Sequence, residues 1–165
     1  MRWTKLKQRI EDRFAADLTG RLAIHLTRFR HAENGDVRLD LDGTTVYSTG
    51  YYEMLNARAR QLGARNAISY WSGESGSGAF WDGSDFEAEL TEMGHADDLA
   101  LARALFASLD ETVETMLASP HPLIRALGMA DARLGKRRLA RLDPAGEHDV
   151  VRRILGARVG QGLEA

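Results

Sequence analysis

The spacing of the apolar residues changes twice along this chain, and each change limits the fold that the chain can adopt. Over residues 3–18 apolar side chains recur every three or four positions, as they do on one face of a helix. Between residues 21 and 49 apolar and polar positions mostly alternate, which is typical of strands. From residue 85 onward the helical spacing returns. The sequence therefore predicts an α+β fold: an N-terminal helix, a three-stranded antiparallel meander, and a helical C-terminal half packed on one sheet face.

Two turn sequences divide the alternating region into strands. Glu33-Asn34-Gly35 is a strong hairpin signal between strands over 21–31 and 37–42. Asp42-Gly43 is a second tight turn, and it leads into a third strand at Thr44–Thr49.

The length of the first loop decides which side chains face one another. A two-residue loop at Asn34-Gly35 would put arginines on the apolar face of the second strand. A three-residue loop, with Gly35 in the left-handed conformation, places Arg28 across from Asp40 as an opposite-charge pair. It also leaves three apolar residues of the first strand on the opposite face, namely Leu22, Ile24 and Leu26. We therefore expect the three-residue loop, with either a bulge near Thr27 or a sheet that is partly covered on both faces.

Helix-start and helix-stop signals divide the rest of the chain. Ser84-Asp85-Phe86-Glu87 fits a capping box that begins the helical half. Pro120 and Pro122 end one long helix and start the next, which Gly135 kinks or divides. The helices expected after the meander are Tyr51–Leu62, a helix from Ser84, Asp97–Leu117, a helix from Pro122 to Leu134, and Val150–Val159.

The composition favours one domain and excludes several chemistries. A chain of 165 residues has a usual single-domain length, so we expect one domain over 1–165, with parts at 1–62, 70–84 and 85–159. The absence of cysteine excludes a disulfide scaffold, thiolate metal sites and a thiol nucleophile. The chain has no signal-peptide pattern and no run of about 20 apolar residues, so a cytoplasmic location without membrane association is expected.

The charges are segregated although the formal net charge is −2. Residues 1–71 carry 12 basic and 8 acidic side chains, residues 72–119 carry 1 and 11, and residues 120–158 carry 9 and 4. One interpretation is that the acidic middle and the basic C-terminal helices neutralise each other within the fold. The other is a basic surface for phosphate groups or an acidic partner, formed by Arg133, Lys136, Arg137, Arg138 and Arg141. No aromatic residue accompanies that run, so it offers no base stacking.

The hairpin is a second candidate site. With the expected register, one sheet face carries Arg28, Arg30, Arg38 and Asp40. Clustered arginine and carboxylate groups can bind an anionic ligand or perform acid–base chemistry. The alternative is a solvated face whose cross-strand ion pairs contribute little to stability.

The stretch 70–84 mixes glycine and serine with large aromatic residues. Trp71 and Trp81 at its two ends are either core anchors or part of a loop that grips a ligand or a partner. It lacks the Lys-Ser/Thr ending of a P-loop, so no nucleotide site is indicated. The five histidines have no metal-ligand spacing, and His95 and His148 resemble helix N-terminal caps.

Three segments of the chain fit a known sequence family. They are Arg2-Trp3-Thr4-Lys5-Leu6-Lys7, Thr27-Arg28-Phe29-Arg30-His31, and the stretch from Pro122-Leu123-Ile124-Arg125-Ala126-Leu127 to Arg133-Leu134-Gly135-Lys136-Arg137-Arg138-Leu139. Together they resemble a family of small bacterial proteins of uncharacterised activity that begin with Trp-Ser/Thr-Lys-Leu-Lys. The resemblance spans most of the chain and is weakest in the middle loop. It implies a bacterial cytosolic origin and transfers no catalytic residue.

These patterns favour a non-catalytic binding or protein-interaction module, because aromatics and opposed charge patches are abundant while catalytic spacing is missing. One alternative is a polyanion- or nucleic-acid-associated protein that uses the 133–141 run and the hairpin arginines. The other is an enzyme that acts on an anionic small molecule at Arg28, Arg30 and Asp40. We expect no cofactor and no metal. A protein partner is favoured over a nucleic acid, and the oligomeric state stays open.

Overall fold

The architecture is that of an α+β protein, as the sequence predicts. The structure, a computed structural model, describes residues 3–28, 35–74, 76, 80, 86–95 and 98–160. In chain order the elements are α1 (Trp3–Glu11), β1 (Leu22–Arg28), β2 (Gly35–Leu41), β3 (Thr44–Gly50), α2 (Tyr51–Gln61), α3 (Ala67–Trp71), α4 (Phe86–Glu92), α5 (Asp98–Ser108), α6 (Val113–Leu117), α7 (Pro122–Ala130), α8 (Lys136–Leu139) and α9 (Asp149–Val159).

The sheet is antiparallel with strand order β1-β2-β3, but the register of the hairpin differs from both expected registers. Arg28 pairs with Gly35 and Asp40 pairs with Ala23, so the predicted Arg28–Asp40 pair is wrong. The reason is burial: pairing Ile24 with Leu39 brings the apolar residues of both strands onto one face. The connection over residues 29–34, which includes the Glu33-Asn34 part of the turn signal, lies outside the described residues.

The second turn follows its sequence signal. Asp42 and Gly43 both have positive φ, at 51° and 79°, as a two-residue hairpin turn requires. The pairing of β1 with β2 is continuous from Leu22 to Arg28, so the bulge considered near Thr27 is not present there. A separate register shift interrupts the pairing of β2 with β3 between Leu39 and Asp40.

Helix α1 ends at Glu11, so the helix predicted through residue 18 is wrong at its C-terminal half. Beyond it the chain turns and pairs with the segment after α7. Phe14 forms an isolated antiparallel bridge with Asp131, and the Ala15 N–H donates to the Ala130 carbonyl at 2.8 Å. Phe14 and Leu18 are nevertheless buried, so the apolar stripe reaches the core without continuous helix.

The long helix predicted over 97–117 is two helices, α5 and α6. The Thr112 hydroxyl accepts from the Thr115 N–H at 3.2 Å and so begins α6 with its own cap. The Arg13 guanidinium donates to the carbonyls of Ser108, at 3.2 Å, and Leu109, where α5 ends. A residue far away in sequence therefore stabilises a helix end that the apolar periodicity does not reveal.

The main core lies between the apolar face of the sheet and the helices. Helix α7 is at its centre: eight of its nine residues are buried, and Arg125 is the exception. Gly128 allows α6 to approach closely, because a Cβ there would lie 3.0 Å from the Cβ of Met116. A second, smaller apolar cluster lies between α2 and α3 and consists of Leu55, Ala59, Ala64, Ala67 and Phe80.

Candidate functional site

The predicted hairpin site forms in part, around Asp40 on the outer face of the sheet. One Asp40 carboxylate oxygen accepts from the Thr45 hydroxyl at 2.8 Å and lies 3.1 Å from Arg38 Nε. The other oxygen lies 3.1 Å from His25 Nε2. Burial by itself raises the pKa of Asp40, but Thr45, Arg38 and His25 together lower it below its ordinary value. Asp40 is therefore held as a carboxylate by three partners.

The backbone of Arg28, the other strand arginine expected at this site, does not lie next to that of Asp40 in the sheet. Arg28 ends β1 five residues beyond Ala23, which is roughly 16 Å of strand, and Arg30 lies outside the described residues. Ser48 is in the same sheet row as His25, but β2 lies between them, so their backbones are roughly 10 Å apart. Partly exposed ion pairs of this kind add little to stability.

The basic run lies on and around α8, and its five side chains are all exposed. Two of them have acidic partners: Arg133 Nη2 lies 2.7 Å from the buried Asp131, and Arg138 Nη1 lies 2.5 Å from Glu114. The Arg138–Glu114 pair joins the acidic middle of the chain to its basic C-terminal part. The remaining cations of the run are exposed: Lys136 and Arg137 begin α8, and Arg141 lies two residues beyond its last residue.

The aromatic stretch begins on α3, a short helix whose orientation is fixed. Asn66 and Ser69 form a reciprocal capping box, with the Ser69 N–H donating to Asn66 Oδ1 at 2.9 Å and the Asn66 N–H donating to Ser69 Oγ at 3.0 Å. Ala67 and Ser69 are buried. The Trp71 ring packs on Phe80, with centroids 5.0 Å apart. Trp81 lies outside the described residues.

Two large apolar side chains of α3 nevertheless face solvent. Ile68 is 78% exposed, and Trp71, one turn later, is 55% exposed. We term these two residues the α3 apolar face. One side of the Trp71 ring packs on Phe80, and the rest of the ring is accessible to solvent.

A cluster that sequence reasoning missed surrounds Tyr47 of β3. The Tyr47 hydroxyl donates to the carbonyl of Gly94, just after α4. Its ring meets His121 and His148 edge-on, with centroids 6.4 and 6.3 Å away. His95, which directly follows Gly94, is the third histidine of this cluster, because electrostatic repulsion from it lowers the pKa of His121. We term these five residues, Tyr47, Gly94, His95, His121 and His148, the histidine joint.

Both ring-contacting histidines cap helices. His121 Nδ1 accepts from the Leu123 N–H at 3.1 Å at the start of α7, and His148 Nδ1 accepts from the Val150 N–H at 3.2 Å at the start of α9. The cap at His148 confirms the prediction. His121 carries the same signal, because a histidine directly before Pro122 stands at a helix start.

The joint disfavours charge on its members. Burial, then Arg125 and the two other histidines, lower the pKa of His121 to about 4. Burial and then Arg60 lower the pKa of His95, and burial raises the pKa of Tyr47. At neutral pH the tyrosine and His121 are therefore uncharged.

Neither a metal-binding cluster nor a membrane-spanning helix is found in the part of the chain that the structure describes. Among them, no group of three or more histidine, aspartate or glutamate side chains is arranged to hold a metal ion. Within the same ranges, no helix combines the length and apolar character needed to cross a membrane.

Fold and sites together define an α+β protein with a three-stranded meander, a basic patch and an exposed aromatic helix. The chain belongs to the SF0329 protein family, whose model matches residues 2–159. Comparison with curated proteins gave no match, and comparison with solved structures gave none either.

Proposed function

We propose that this protein is a non-catalytic protein-interaction module and that the α3 apolar face is its binding surface. The observation that carries the proposal is the exposure of Ile68 and Trp71 on a helix whose opposite side is fixed by its capping box. Large apolar side chains of this kind are costly to leave in water and supply much of the binding energy at protein interfaces.

The geometry of the face favours a protein partner with an apolar groove. Ile68 and Trp71 are three residues apart on a helix, so they lie on the same side of it. Side chains at this spacing are the anchors by which helices bind grooves on other proteins. Because Phe80 already supports the Trp71 ring, less side-chain freedom is lost on binding.

The sheet cluster supports a catalytic function less well. Asp40 is already paired with Arg38 and in contact with His25, and the hydroxyl that contacts it, that of Thr45, donates to the carboxylate. A hydroxyl whose hydrogen bond goes to a carboxylate that is itself paired with an arginine is poorly activated as a nucleophile.

We infer in addition that the protein acts in the bacterial cytoplasm. What supports this is the resemblance of residues 2–7 to the opening motif of a bacterial family.

The test is capture of a partner by tagged protein from its native host, followed by binding of the purified partner. Ile68→Ser is the informative variant, because a side chain that is 78% exposed contributes little to folding. Val159→Ser is its control, since Val159 is an exposed apolar residue of α9, 40% accessible. Wild type and Val159→Ser should bind the purified partner equally, and Ile68→Ser about tenfold more weakly or worse.

Two outcomes would contradict the proposal. One is a set of captured proteins that is the same for wild type and Ile68→Ser. The other is a purified partner whose affinity for Ile68→Ser equals its affinity for wild type. Far-ultraviolet circular dichroism of both variants establishes that each is folded.

A further inference from the structure

The histidine joint brings together four segments that are far apart in sequence. Tyr47 comes from β3, Gly94 and His95 follow α4, His121 precedes α7, and His148 precedes α9. We propose that this joint is an acid-sensitive latch: protonation of His121 breaks the start of α7 and releases residues 86–95 from the main core.

The latch depends on which imidazole nitrogen carries the hydrogen. His121 Nδ1 accepts from the Leu123 N–H, so that nitrogen is unprotonated and the hydrogen of the neutral ring is on Nε2. Adding a proton places a second N–H on Nδ1, facing the N–H of Leu123. The cap is then replaced by two opposed donors. His148 has the same arrangement with Val150, so α7 and α9 both need a neutral histidine to begin.

A proton on His121 would find no compensating charge. The side chain is 4% exposed, and its Nε2 has no hydrogen-bond partner among the described residues. The groups that act on its charge are Arg125 of α7, His148 and His95, none of which is acidic. Two charged residues of α2, Glu53 and Arg60, act on His95. On the other side, Glu92 and Glu147 line an open cleft together with His148. Glu147 is paired with Arg125, with 3.0 Å between Oε2 and Nε.

Residues 86–95, which contain α4 and end at Gly94 and His95, are the segment that we expect to move. It is joined to β3 through the hydrogen bond from Tyr47 to the Gly94 carbonyl. Gly94 has φ +87°, and a Cβ there would lie 3.1 Å from Tyr47, 3.2 Å from Pro122 and 3.3 Å from His148. Such close contact with His148 and with the first residue of α7 means that movement at either helix start must displace this segment. Helix α4 in turn packs on α2, which shares the smaller apolar cluster with α3.

The direction of the pH effect follows from the protonation equilibrium. In the closed joint the pKa of His121 is about 4, and in an open, solvated joint it returns to about 6.5. A proton therefore binds the open state more tightly, and opening becomes more favourable as pH falls from about 6.5 towards 4. With these two values the opening equilibrium increases roughly twentyfold between pH 7 and pH 5.

Hydrogen–deuterium exchange of the full chain at pH 7 and pH 5, corrected for the intrinsic rate, tests the latch. Exchange of the amides of Gly94, His95 and Leu123 should increase about tenfold or more, while that of β1 and β2 stays constant. His121→Asn should abolish the increase at Leu123, because an asparagine oxygen can accept from the Leu123 N–H but does not titrate. His25→Asn, on the outer sheet face, is the matched control and should keep it.

Three results would overturn the latch: no increase in the wild-type protein, an equal increase in His121→Asn, or an increase shared equally by β1 and β2. If His121→Asn does not fold, an NMR titration of the wild type decides. The imidazole signal of His121 and the amide signal of Leu123 must then change over the same pH range. Titration of the imidazole with an unchanged Leu123 amide would also overturn it.

Discussion

The guanidinium of Arg158, on α9, donates from Nη1 to the backbone carbonyl of Asp131 at 3.0 Å. The same guanidinium donates to the carbonyls of Met129, at 2.8 Å, and Leu134, at 3.1 Å. Arg158 is 8% exposed, and its Nε lies 3.4 Å from Asp17 without the alignment of a hydrogen bond. One buried arginine therefore satisfies the carbonyls at the end of α7 and fixes α9 against it.

We expect Arg158→Met to destabilise the protein by about 3 kcal/mol. Methionine fills similar space, but it leaves three carbonyls without their donor and Asp17 without its cation. Urea denaturation with linear extrapolation measures the change in the free energy of unfolding. Arg152→Met is the control, because Arg152 is an exposed arginine of the same helix paired with Asp149, and it should change stability by less than about 0.5 kcal/mol. Similar losses in the two variants would show that the buried guanidinium is not needed.

Gly94 is expected to be far less tolerant of alanine than Gly20, although both have positive φ. A Cβ at Gly94 meets Tyr47 at 3.1 Å and Pro122 at 3.2 Å, whereas nothing lies within 4 Å of one at Gly20. Gly20→Ala should therefore cost about 1 kcal/mol for its backbone conformation alone, and Gly94→Ala about 3 kcal/mol. Thermal and urea unfolding of both variants gives the comparison. Equal losses would mean that the joint has room at Gly94.

Because neutral His121 is buried, the free energy of unfolding should decrease as the pH is lowered. The decrease should begin at a pH well above the range where carboxylates titrate. Its pKa is lowered to about 4 in the folded state and is about 6.5 when unfolded, so its contribution is present above pH 6.5 and declines below it. Between pH 7 and pH 5 the wild-type protein should lose about 2 kcal/mol from this residue.

Titration of the acidic groups does not contribute to this change in stability between pH 7 and pH 5. The pKa values of Asp40, Asp131 and Asp149 are lowered in the fold, so these groups are ionised in both states above pH 5 and lose their contribution only at lower pH. His121→Asn should accordingly show a stability difference between pH 7 and pH 5 that is about 2 kcal/mol smaller than that of wild type. An unchanged difference would assign the pH dependence to another group.

The elements of this fold can be predicted from the sequence more readily than the way they pair. Alternation at Leu22, Ile24 and Leu26 is enough to place β1. The turn signal at Asn34-Gly35, however, points to a shorter loop and hence to the wrong partners on β2. Burying Leu22 and Ile24 contributes about 1.5–3 kcal/mol each, far more than a turn preference, so burial decides the register.

Other features depend on contacts that no local pattern contains. Arg13 ends α5 from nearly a hundred residues away, and the bridge of Phe14 to Asp131 replaces the second half of the predicted first helix. The histidine joint is of the same kind. Capping accounts for His148 and could have indicated His121, but only the tertiary fold brings both to Tyr47. Of the residues predicted for the hairpin site, Arg38 and Asp40 are in contact. They are two positions apart on one strand, so their proximity can be predicted from the sequence alone.

Charge segregation, the most unusual property of the sequence, should matter little for stability. Arg138 and Glu114 join the acidic and basic segments at 2.5 Å, but their side chains are about half exposed, and water and salt weaken such a pair. Arg138→Ala should therefore reduce the free energy of unfolding by less than about 1 kcal/mol at low ionic strength and by less still in 0.5 M salt. Lys136→Ala, two residues away and without an acidic partner among the described contacts, is the control. Urea denaturation at both salt concentrations measures the effect. A loss of several kcal/mol that persists in high salt would show instead that neutralisation between the segments holds the helical half together.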